Sequence, residues 1–284
     1  MTLLASGPAR ILSGGTDFYP ALGDRVIRDK VVDISGLDNL RGISTEAEYI
    51  RIGGLTTWTK IIQTPLPPCF DALKSAAREV GSVQIQNRGT VAGNLCNASP
   101  AADGVPPLLA LDAEVELTSR SHIRKMPLAE FIVGNRKTLR QPDELLTAVL
   151  LPREFENAAS VFIKLGARRY LVISISMVAV VLKLDQNPRL PRDDRKVLSA
   201  RVAVGSCSAV AQRLRKLEQD LVGSPVSNGL GARVRPDHLA ELAPIDDVRA
   251  TADYRLEASL RLVQRALNTC AASDNTSDNT SDNK

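Results

Sequence analysis

Cysteine and histidine are scarce in this sequence, and the few that it has are scattered. Among its 284 residues are four cysteines, no two of which form a C-x-x-C pair, and two histidines, His122 and His238. Zinc and iron–sulfur sites need clustered cysteine or histidine ligands. The sequence therefore predicts no metal site in this chain. The separated cysteines favour a reducing compartment.

Long apolar runs and basic runs are absent as well. No apolar stretch reaches the ~20 residues that a membrane-spanning helix needs. The N-terminal segment MTLLASGPARIL has no basic region followed by an apolar core, which a secretion signal would have. The 36 basic and 32 acidic residues give a net charge of +4, with both signs mixed along the chain. Nucleic-acid binders more often have a basic stripe. We therefore predict a cytoplasmic protein with no membrane span and no nucleic-acid partner.

Aromatic residues make up only 4% of the chain, so its core must consist mainly of Leu, Val, Ile and Ala. The first 155 residues alternate strand-like runs with helical spacing, a mixed α/β pattern. Strands are predicted for residues 10–12, 31–34, 49–52, 114–118 and 145–151, and a helix is predicted for residues 70–80.

A different order of elements follows Pro152. Long strands are predicted for residues 161–165, 172–184 and 196–204, with a hairpin loop in the polar segment DQNPRLPRDDRK. Helices are predicted for residues 210–221 and 248–267. Strands followed by helices indicate a separate α+β domain. We predict one domain over residues 1–155, a second over residues 156–270, and a disordered polar tail over residues 271–284, which contains the repeat SDNTSDNTSDNK.

Two glycine-bearing segments are candidates for binding a ligand. The first, ILSGGTDF, ends a predicted strand with two successive glycines and flanking hydroxyl groups. Backbone N–H groups in such turns can bind phosphate oxygens without any basic side chain. An ordinary strand-ending turn would have the same pattern. The segment matches neither G-x-G-x-x-G nor G-x-x-x-x-G-K-[ST], so Rossmann and P-loop folds are not favoured.

The second segment runs from residue 80 to residue 117 and contains RGTVAGNL followed by NASPAAD. We interpret RGTVAGNL as a second glycine-bearing loop that lets the backbone pass close to a ligand. NASPAAD adds Asn97, Ser99 and Asp103 on an irregular stretch before Pro106. A tightly packed internal turn is the alternative to a binding loop.

In their order and spacing these segments resemble the FAD-binding medium subunits of the xanthine dehydrogenase and carbon monoxide dehydrogenase family of molybdenum hydroxylases. The resemblance continues through VFIKLGARR and IDDVRATADYR and covers nearly the whole chain apart from the tail. It implies an α+β fold. The FAD-binding domain would be of the vanillyl-alcohol oxidase type (PCMH type), with two α/β subdomains, followed by a smaller α+β C-terminal domain.

The resemblance also implies which residues contact the FAD. The first phosphate loop would consist of Ile11, Leu12, Ser13, Gly14, Gly15, Thr16, Asp17 and Phe18. The second would consist of Thr90, Val91, Ala92, Gly93 and Asn94, with Val80 close by. Asp103 would hydrogen-bond the polar part of the flavin, Leu146 would contact the adenine side, and Lys164 would contact the cofactor. Without the motif, Lys164 would be taken for a surface lysine. Ala92 stands where the family usually has glycine, and YLVISIS after Arg169 lacks the acidic residue common there.

The function implied is electron transfer without a catalytic residue in this chain. FAD would pass electrons from the 2Fe–2S clusters of a small subunit to NAD, a quinone or oxygen. A large subunit would carry the molybdopterin, and the assembly would be a dimer of heterotrimers. Two alternatives remain: a stand-alone FAD-dependent oxidase or dehydrogenase, and a binding protein that kept the fold but lost FAD. The first would need a substrate-covering domain with an aromatic or basic pocket, and the second is disfavoured by the two glycine segments and Asp103.

Overall fold

The computed structural model describes residues 1–187, 195–226 and 229–273, and it shows the α+β fold that the sequence predicts. In these ranges the helices are α1 (Thr2–Ala5), α2 (Trp58–Gln63), α3 (Asp71–Glu79), α4 (Val83–Arg88), α5 (Val91–Asn97), α6 (Val105–Ala110), α7 (Leu128–Phe131), α8 (Arg215–Leu221) and α9 (Ala252–Ser273). The strands are β1 (Arg10–Leu12), β2 (Val31–Asp33), β3 (Ile43–Thr45), β4 (Tyr49–Gly53), β5 (Glu114–Thr118), β6 (Ile123–Pro127), β7 (Ile132–Gly134), β8 (Lys137–Thr138), β9 (Leu145–Pro152), β10 (Ala159–Leu165), β11 (Ser176–Leu184), β12 (Val197–Gly205) and β13 (Gln212–Arg213).

A small parallel sheet forms the N-terminal subdomain. β1 pairs with β2, and Arg10 lies opposite Val31. Two strands alone bury little apolar surface. A separate apolar cluster therefore supports this sheet, and it consists of Leu4, Ile34, Leu40, Leu55 and Leu145. Leu145 belongs to β9 of the neighbouring subdomain, so the cluster fixes the small sheet against that subdomain.

Five antiparallel strands form the second subdomain, in the order β3-β4-β9-β5-β6. β9 is the central strand, and all its residues except the last are buried. Burial on both faces explains why this strand is almost continuously apolar. Helices α2, α3 and α6 contribute Trp58, Leu73 and Leu108 to the same core.

The C-terminal strands form an antiparallel sheet in the order β10-β11-β12-β13. Successive residues of a strand point to opposite faces. Val178 and Val180 of β11 accordingly pack in one core with residues of α8 and α9, whereas Ala179 and Val181 belong to the core of the second subdomain. The C-terminal sheet is therefore packed on both faces and rests directly on the N-terminal part of the chain.

A buried ion-pair network reinforces this contact. Arg213 on β13 donates to Glu218 through Nε and to Asp112 through Nη1, both at 2.5 Å. Arg213 also donates to the carbonyl of Leu109 at 3.0 Å. A buried guanidinium is stable only when such partners satisfy it. These contacts hold the C-terminal sheet in place against the turn that follows α6.

Most of the predicted elements are present, and several of them differ in their bounds. β11 begins at Ser176 rather than at residue 172, and Val172 and Ile173 line a cleft described below. The helix predicted for residues 210–221 begins only at Arg215, after the short strand β13. α9 continues to Ser273 and Ala271 is buried, so residues 271–273 are helical rather than part of a tail. Residues 274–284 of the predicted tail and residues 188–194 of the predicted hairpin loop lie outside the described residues.

Candidate functional site

The first glycine-bearing segment is the turn that follows β1. Gly15 has a φ of 78°, a conformation that residues with a side chain rarely adopt. Gly14 is constrained differently, because a Cβ there would lie 2.0 Å from the carbonyl oxygen of Arg88. The two glycines are thus required for two separate reasons, one of backbone conformation and one of backbone packing.

The second segment is a helix N-terminus and not the loop that the sequence predicts. Thr90 caps α5, and its Oγ1 accepts a hydrogen bond from the N–H of Gly93 at 3.1 Å. A threonine in this position offsets the low helix propensity of a nearby glycine. Ala98, with a φ of 47°, ends the helix. Residues 91–94 are therefore its first turn.

Two contacts fix the glycine segments to each other. Ser13 Oγ lies 2.9 Å from Thr90 Oγ1. Gly14 packs against the backbone of Arg88 and Gly89, between α4 and α5. The turn after β1 and the start of α5 therefore form one rigid wall, although they are more than 70 residues apart in the chain.

This wall borders a cavity of about 820 Å³, a volume typical of a small-molecule site. Most residues that the resemblance assigns to FAD line it. They are Ile11, Ser13, Gly14, Gly15, Thr16, Asp17, Phe18, Val80, Thr90, Ala92, Gly93, Asn94 and Leu146. The structure thus brings together residues from β1, α3, α5 and β9.

A second cavity of about 520 Å³ adjoins the first, and Asp103 lines it. Its wall also includes Glu79, Leu171 and Ile173. The residues that line both cavities are Asp17, Val80, Ile85, Asn94, Asn97 and Arg136. The two cavities are therefore parts of one cleft, and the glycine segments lie near its middle.

Three of the assigned residues line neither cavity: Leu12, Val91 and Lys164. Val91 is fully buried in the core of the second subdomain. Leu12 lies beneath the glycine turn, where its side chain would contact a Cβ on Gly15. Neighbouring residues of a strand or helix point in different directions, so a continuous run of residues cannot all face the cleft. The side chains of these three residues do not line the cleft, and their contact with FAD stays a prediction.

Lys164 contacts two residues that line the second cavity, Glu79 and Asp103. Its Nζ lies 2.8 Å from Asp103 Oδ2, and Ser174 donates a 2.6 Å hydrogen bond to Asp103 Oδ1. The side chains of Lys164 and Asp103 are 6% and 10% exposed. Burial raises the pKa of Asp103, and the hydrogen bonds and positive charge of its partners oppose that rise. Lys164 belongs to β10 and Ser174 to the β10–β11 connection, so the C-terminal part of the chain holds a carboxyl group that belongs to the N-terminal part.

The sequence motifs placed Asp17, Val80, Asn94 and Asp103 at the second cavity, but they did not include the segment after Tyr170. Leu171, Val172 and Ile173 line this cavity, whereas the sequence pattern predicts that a strand begins at residue 172. Leu171 has a φ of 51°, a left-handed conformation that leucine rarely adopts and that the sequence does not predict. Leu171 and Ile173 are 57% and 51% exposed. The apolar side chains of this segment were the one signal that it could line a cavity. In the sequence, the same pattern also fits a buried strand.

A hairpin formed by β7 and β8 was also missed. Arg136, Lys137 and Thr138 from this hairpin line the first cavity, as does Arg140 beyond it. Trp58, which lines the same cavity, is packed so closely that a Cβ on Gly104 would lie 2.3 Å from its ring. In the sequence, the β7–β8 hairpin is indicated by the short polar segment NRKT, which contains a basic pair.

The polar groups of the cleft fit the parts of FAD. Asn94 Oδ1 is buried and has no hydrogen-bond partner among the described residues, although Asn94 lines both cavities. A buried acceptor of this kind indicates a ligand donor, and a flavin offers hydroxyl and ring N–H groups. Burial raises the pKa of the Cys96 thiol to about 11. Cys96 is thus a neutral thiol near pH 7, which favours non-covalent binding.

Within the described ranges, none of the helices is long and apolar enough to cross a membrane.

Comparisons with family models assign the chain in two parts. Residues 1–154 match the FAD-binding domain in molybdopterin dehydrogenase. Residues 162–270 match the C-terminal domain of the CO dehydrogenase flavoprotein. The first match alone covers more than half of the chain and includes both glycine segments.

Individual proteins are similar over most of their length. The nicotinate dehydrogenase FAD-subunit of Eubacterium barkeri is 36% identical over 226 residues, which cover 78% of this chain and 74% of that protein. The xanthine dehydrogenase FAD-binding subunit of Escherichia coli O157:H7 is 30% identical over 278 residues, which cover 96% of this chain and 92% of that protein.

Solved structures have the same fold. A chain of carbon monoxide dehydrogenase from Hydrogenophaga pseudoflava superposes with a TM-score of 0.83 and 25% identity, covering 96% of this chain and 93% of that chain. Together with the family models and the sequence relatives, this likeness shows that the chain belongs to the FAD-binding medium subunits of the xanthine and carbon monoxide dehydrogenase family, the oxidoreductases known as molybdenum hydroxylases.

Proposed function

We propose that this subunit receives electrons from 2Fe–2S clusters of a partner chain and passes them through FAD to an external acceptor. The observation that carries this proposal is the continuous cleft, with its glycine segments at the middle and Asp103 at one end. Bound FAD would supply the redox chemistry, while the protein supplies binding, orientation and electrostatics. In this proposal residues 1–155 form the FAD-binding domain and residues 156–270 form a second domain that completes the cleft.

The cleft residues would have distinct roles in holding FAD. The backbone around Gly14 and Gly15 would lie against the diphosphate, and the Thr16 hydroxyl would donate to it. Leu146 would contact the adenine, at the end of the first cavity. Asp103 would hydrogen-bond the flavin ring, and Lys164 would act on the ring through Asp103.

Neither histidine of the chain lies in the cleft. His238 is buried away from it, with Asp220 3.0 Å from its Nε2. His122 lies in the turn between β5 and β6, where its Nδ1 is 2.9 Å from Ser119 Oγ. Neither histidine lines the cavities. This arrangement supports electron transfer rather than proton abstraction from a bound organic substrate.

The rim of the second cavity supports a partner at that end of the cleft. Tyr170, Leu171 and Ile173 are each more than half exposed, and large exposed apolar residues next to a cofactor cleft are typical of a protein interface. We propose that the 2Fe–2S small subunit and a molybdopterin-binding large subunit assemble with this chain, as a dimer of heterotrimers in the cytoplasm. The acceptor would be NAD, a quinone or oxygen.

The experiment compares the purified chain alone with the same chain co-expressed with its molybdenum and iron–sulfur partners. Alone, it should bind one FAD, release it on acid precipitation, and show negligible turnover with purines, aldehydes or N-heterocycles. In the complex, the flavin absorbance should bleach when substrate is added. Rapid reduction of FAD in the isolated chain by any of these substrates would contradict the proposal and favour a stand-alone oxidase.

A further inference from the structure

Arg136 occupies a distinctive position in the cleft. It lies between β7 and β8, at the tip of their hairpin, and has a φ of 58°. A left-handed conformation at a residue with a long side chain is uncommon and needs support from its surroundings. That support is a 2.9 Å hydrogen bond from the N–H of Arg136 to the carbonyl of Ala98, the residue that ends α5. The hairpin is thereby fixed beside the second glycine segment.

The guanidinium group of Arg136 is held by one side chain. Its Nη1 donates to Asn97 Oδ1, and among the described residues this is the one hydrogen-bond partner that the side chain has. Asn97 also lines both cavities. A guanidinium has five N–H donors, so most of them remain available to a ligand.

Arg136 differs from the other cations of the cleft. Arg10, Lys137 and Arg140 line only the first cavity, whereas Arg136 lines both. The guanidinium of Arg140 is already used, since it donates to the carbonyls of Gln141 and Glu144 at 2.9 and 2.7 Å. Within the described residues, Arg136 is therefore the cation at the junction of the cavities.

A dinucleotide in this cleft would have its diphosphate at the same junction. Its two halves would extend into the two cavities, and the diphosphate connects those halves. The glycine segments offer neutral donors there, while Asp17 places a carboxylate on the shared wall. A dianionic group at this point would gain from a cation that forms charge-assisted, two-pronged hydrogen bonds.

We propose that Arg136, positioned by Asn97 and the hairpin backbone, binds the diphosphate of the cofactor. This inference rests on the proposed FAD site. It adds a positively charged side chain that binds the diphosphate, which the glycine motifs do not include. Arg136 therefore selects for the phosphate-bearing part of the molecule and not for its ring.

The test uses the full-length chain freed of flavin and three probes: FAD, ADP and riboflavin. We expect Arg136→Gln to weaken FAD and ADP binding about 10- to 100-fold, the range for a lost charge-assisted hydrogen bond, and to change riboflavin binding less than about 2-fold. The dependence of FAD affinity on salt should also decrease. The FAD and ADP affinities of Arg136→Lys should lie between those of wild type and Arg136→Gln, because lysine keeps the charge but cannot form the two parallel hydrogen bonds of a guanidinium.

Arg120→Gln is the matched control, since Arg120 is exposed and lines neither cavity. It should leave all three affinities unchanged. Unchanged FAD and ADP affinity in Arg136→Gln would overturn the inference, and so would an equal loss of riboflavin binding. A wild-type chain that fails to bind FAD would instead overturn the proposed function.

Discussion

The middle of the cleft and its Asp103 end are built in different ways. At the glycine segments, the walls are backbone and short hydroxyl side chains, as in the 2.9 Å contact between Ser13 and Thr90. At the Asp103 end, a buried carboxyl group receives hydrogen bonds from Lys164 and Ser174, which lie 61 and 71 residues away in sequence. The glycine segments depend on backbone conformation and on the packing of the turn after β1 against α4 and α5, whereas the Asp103 end depends on how the C-terminal sheet packs.

This difference predicts different responses to mutation. A change at the glycine segments should act on ligand binding, because the turn has little freedom to move. A change at Asp103 or Lys164 should act first on folding stability, since a buried charge loses its partner. The following predictions test that distinction, from the largest expected effect to the smallest.

Gly14→Val should abolish FAD binding, with a loss of affinity above about 100-fold. A valine Cβ would overlap the carbonyl oxygen of Arg88, 2.0 Å away, and backbone cannot yield as a flexible side chain can. The affinity is measured by flavin fluorescence, and circular dichroism checks that the C-terminal sheet stays folded.

Gly36→Val is the control for the Gly14 variant. A Cβ on Gly36 would have nothing within 4 Å, and its φ lies outside the left-handed region. FAD affinity should remain at the wild-type level in this variant. If Gly14→Val also bound FAD normally, the first segment would be only a strand-ending turn.

Lys164→Met should lower the free energy of unfolding by about 3 kcal/mol near pH 8, because it leaves Asp103 buried without its ammonium partner. Burial already raises the pKa of Asp103 above its usual 3.8, and loss of the lysine should raise it further. An acid whose pKa is higher in the folded state binds more protons when folded. Stability should therefore fall as the pH rises from about 4 through that raised pKa.

The double variant Lys164→Met/Asp103→Asn isolates this effect. At low pH the carboxyl is neutral in both states, so the single and double variants should unfold at similar urea concentrations. At pH 8 the double variant should be the more stable. A difference between the two that did not grow with pH would show that Asp103 is not the group responsible.

Ser13→Ala should have the smallest effect, a loss of FAD affinity of about 5-fold, since one hydrogen bond contributes roughly 1 kcal/mol. It removes the 2.9 Å contact with Thr90 but leaves both glycines in place. Ser6→Ala removes a comparable 3.0 Å hydrogen bond to the Leu3 carbonyl away from the cleft. Isothermal titration of FAD into both variants should show a loss for Ser13→Ala alone.

Most of the fold could be predicted from the sequence because its strands are short, apolar and clearly bounded. β1 and β5 begin and end at the predicted residues. The predicted strand at residues 145–151 is β9, whose apolar run reflects burial on both faces. The prediction failed where an apolar run had another cause. The apolar residues Val172 and Ile173 line the second cavity instead of belonging to a strand.

The site was predicted less completely than the fold. The motifs located Gly14, Gly15, Thr90 and Asp103 near the cleft, because glycine and capping requirements are local and leave a visible pattern. They did not separate Val91, which faces the core, from Ala92, which faces the cleft. That separation depends on the rotation of α5 about its own axis.

By itself, the sequence determined the strands, the glycine turn and the family, since each depends on residues that are close together in the chain or fixed in order. The tertiary structure alone decided that Lys164 pairs with Asp103 and that Arg136 lies where the two cavities meet. Both arrangements join residues from separate elements. Their distances follow from the packing of the C-terminal sheet and the β7–β8 hairpin, because side chains far apart in sequence acquire a fixed separation only when the elements that hold them pack together.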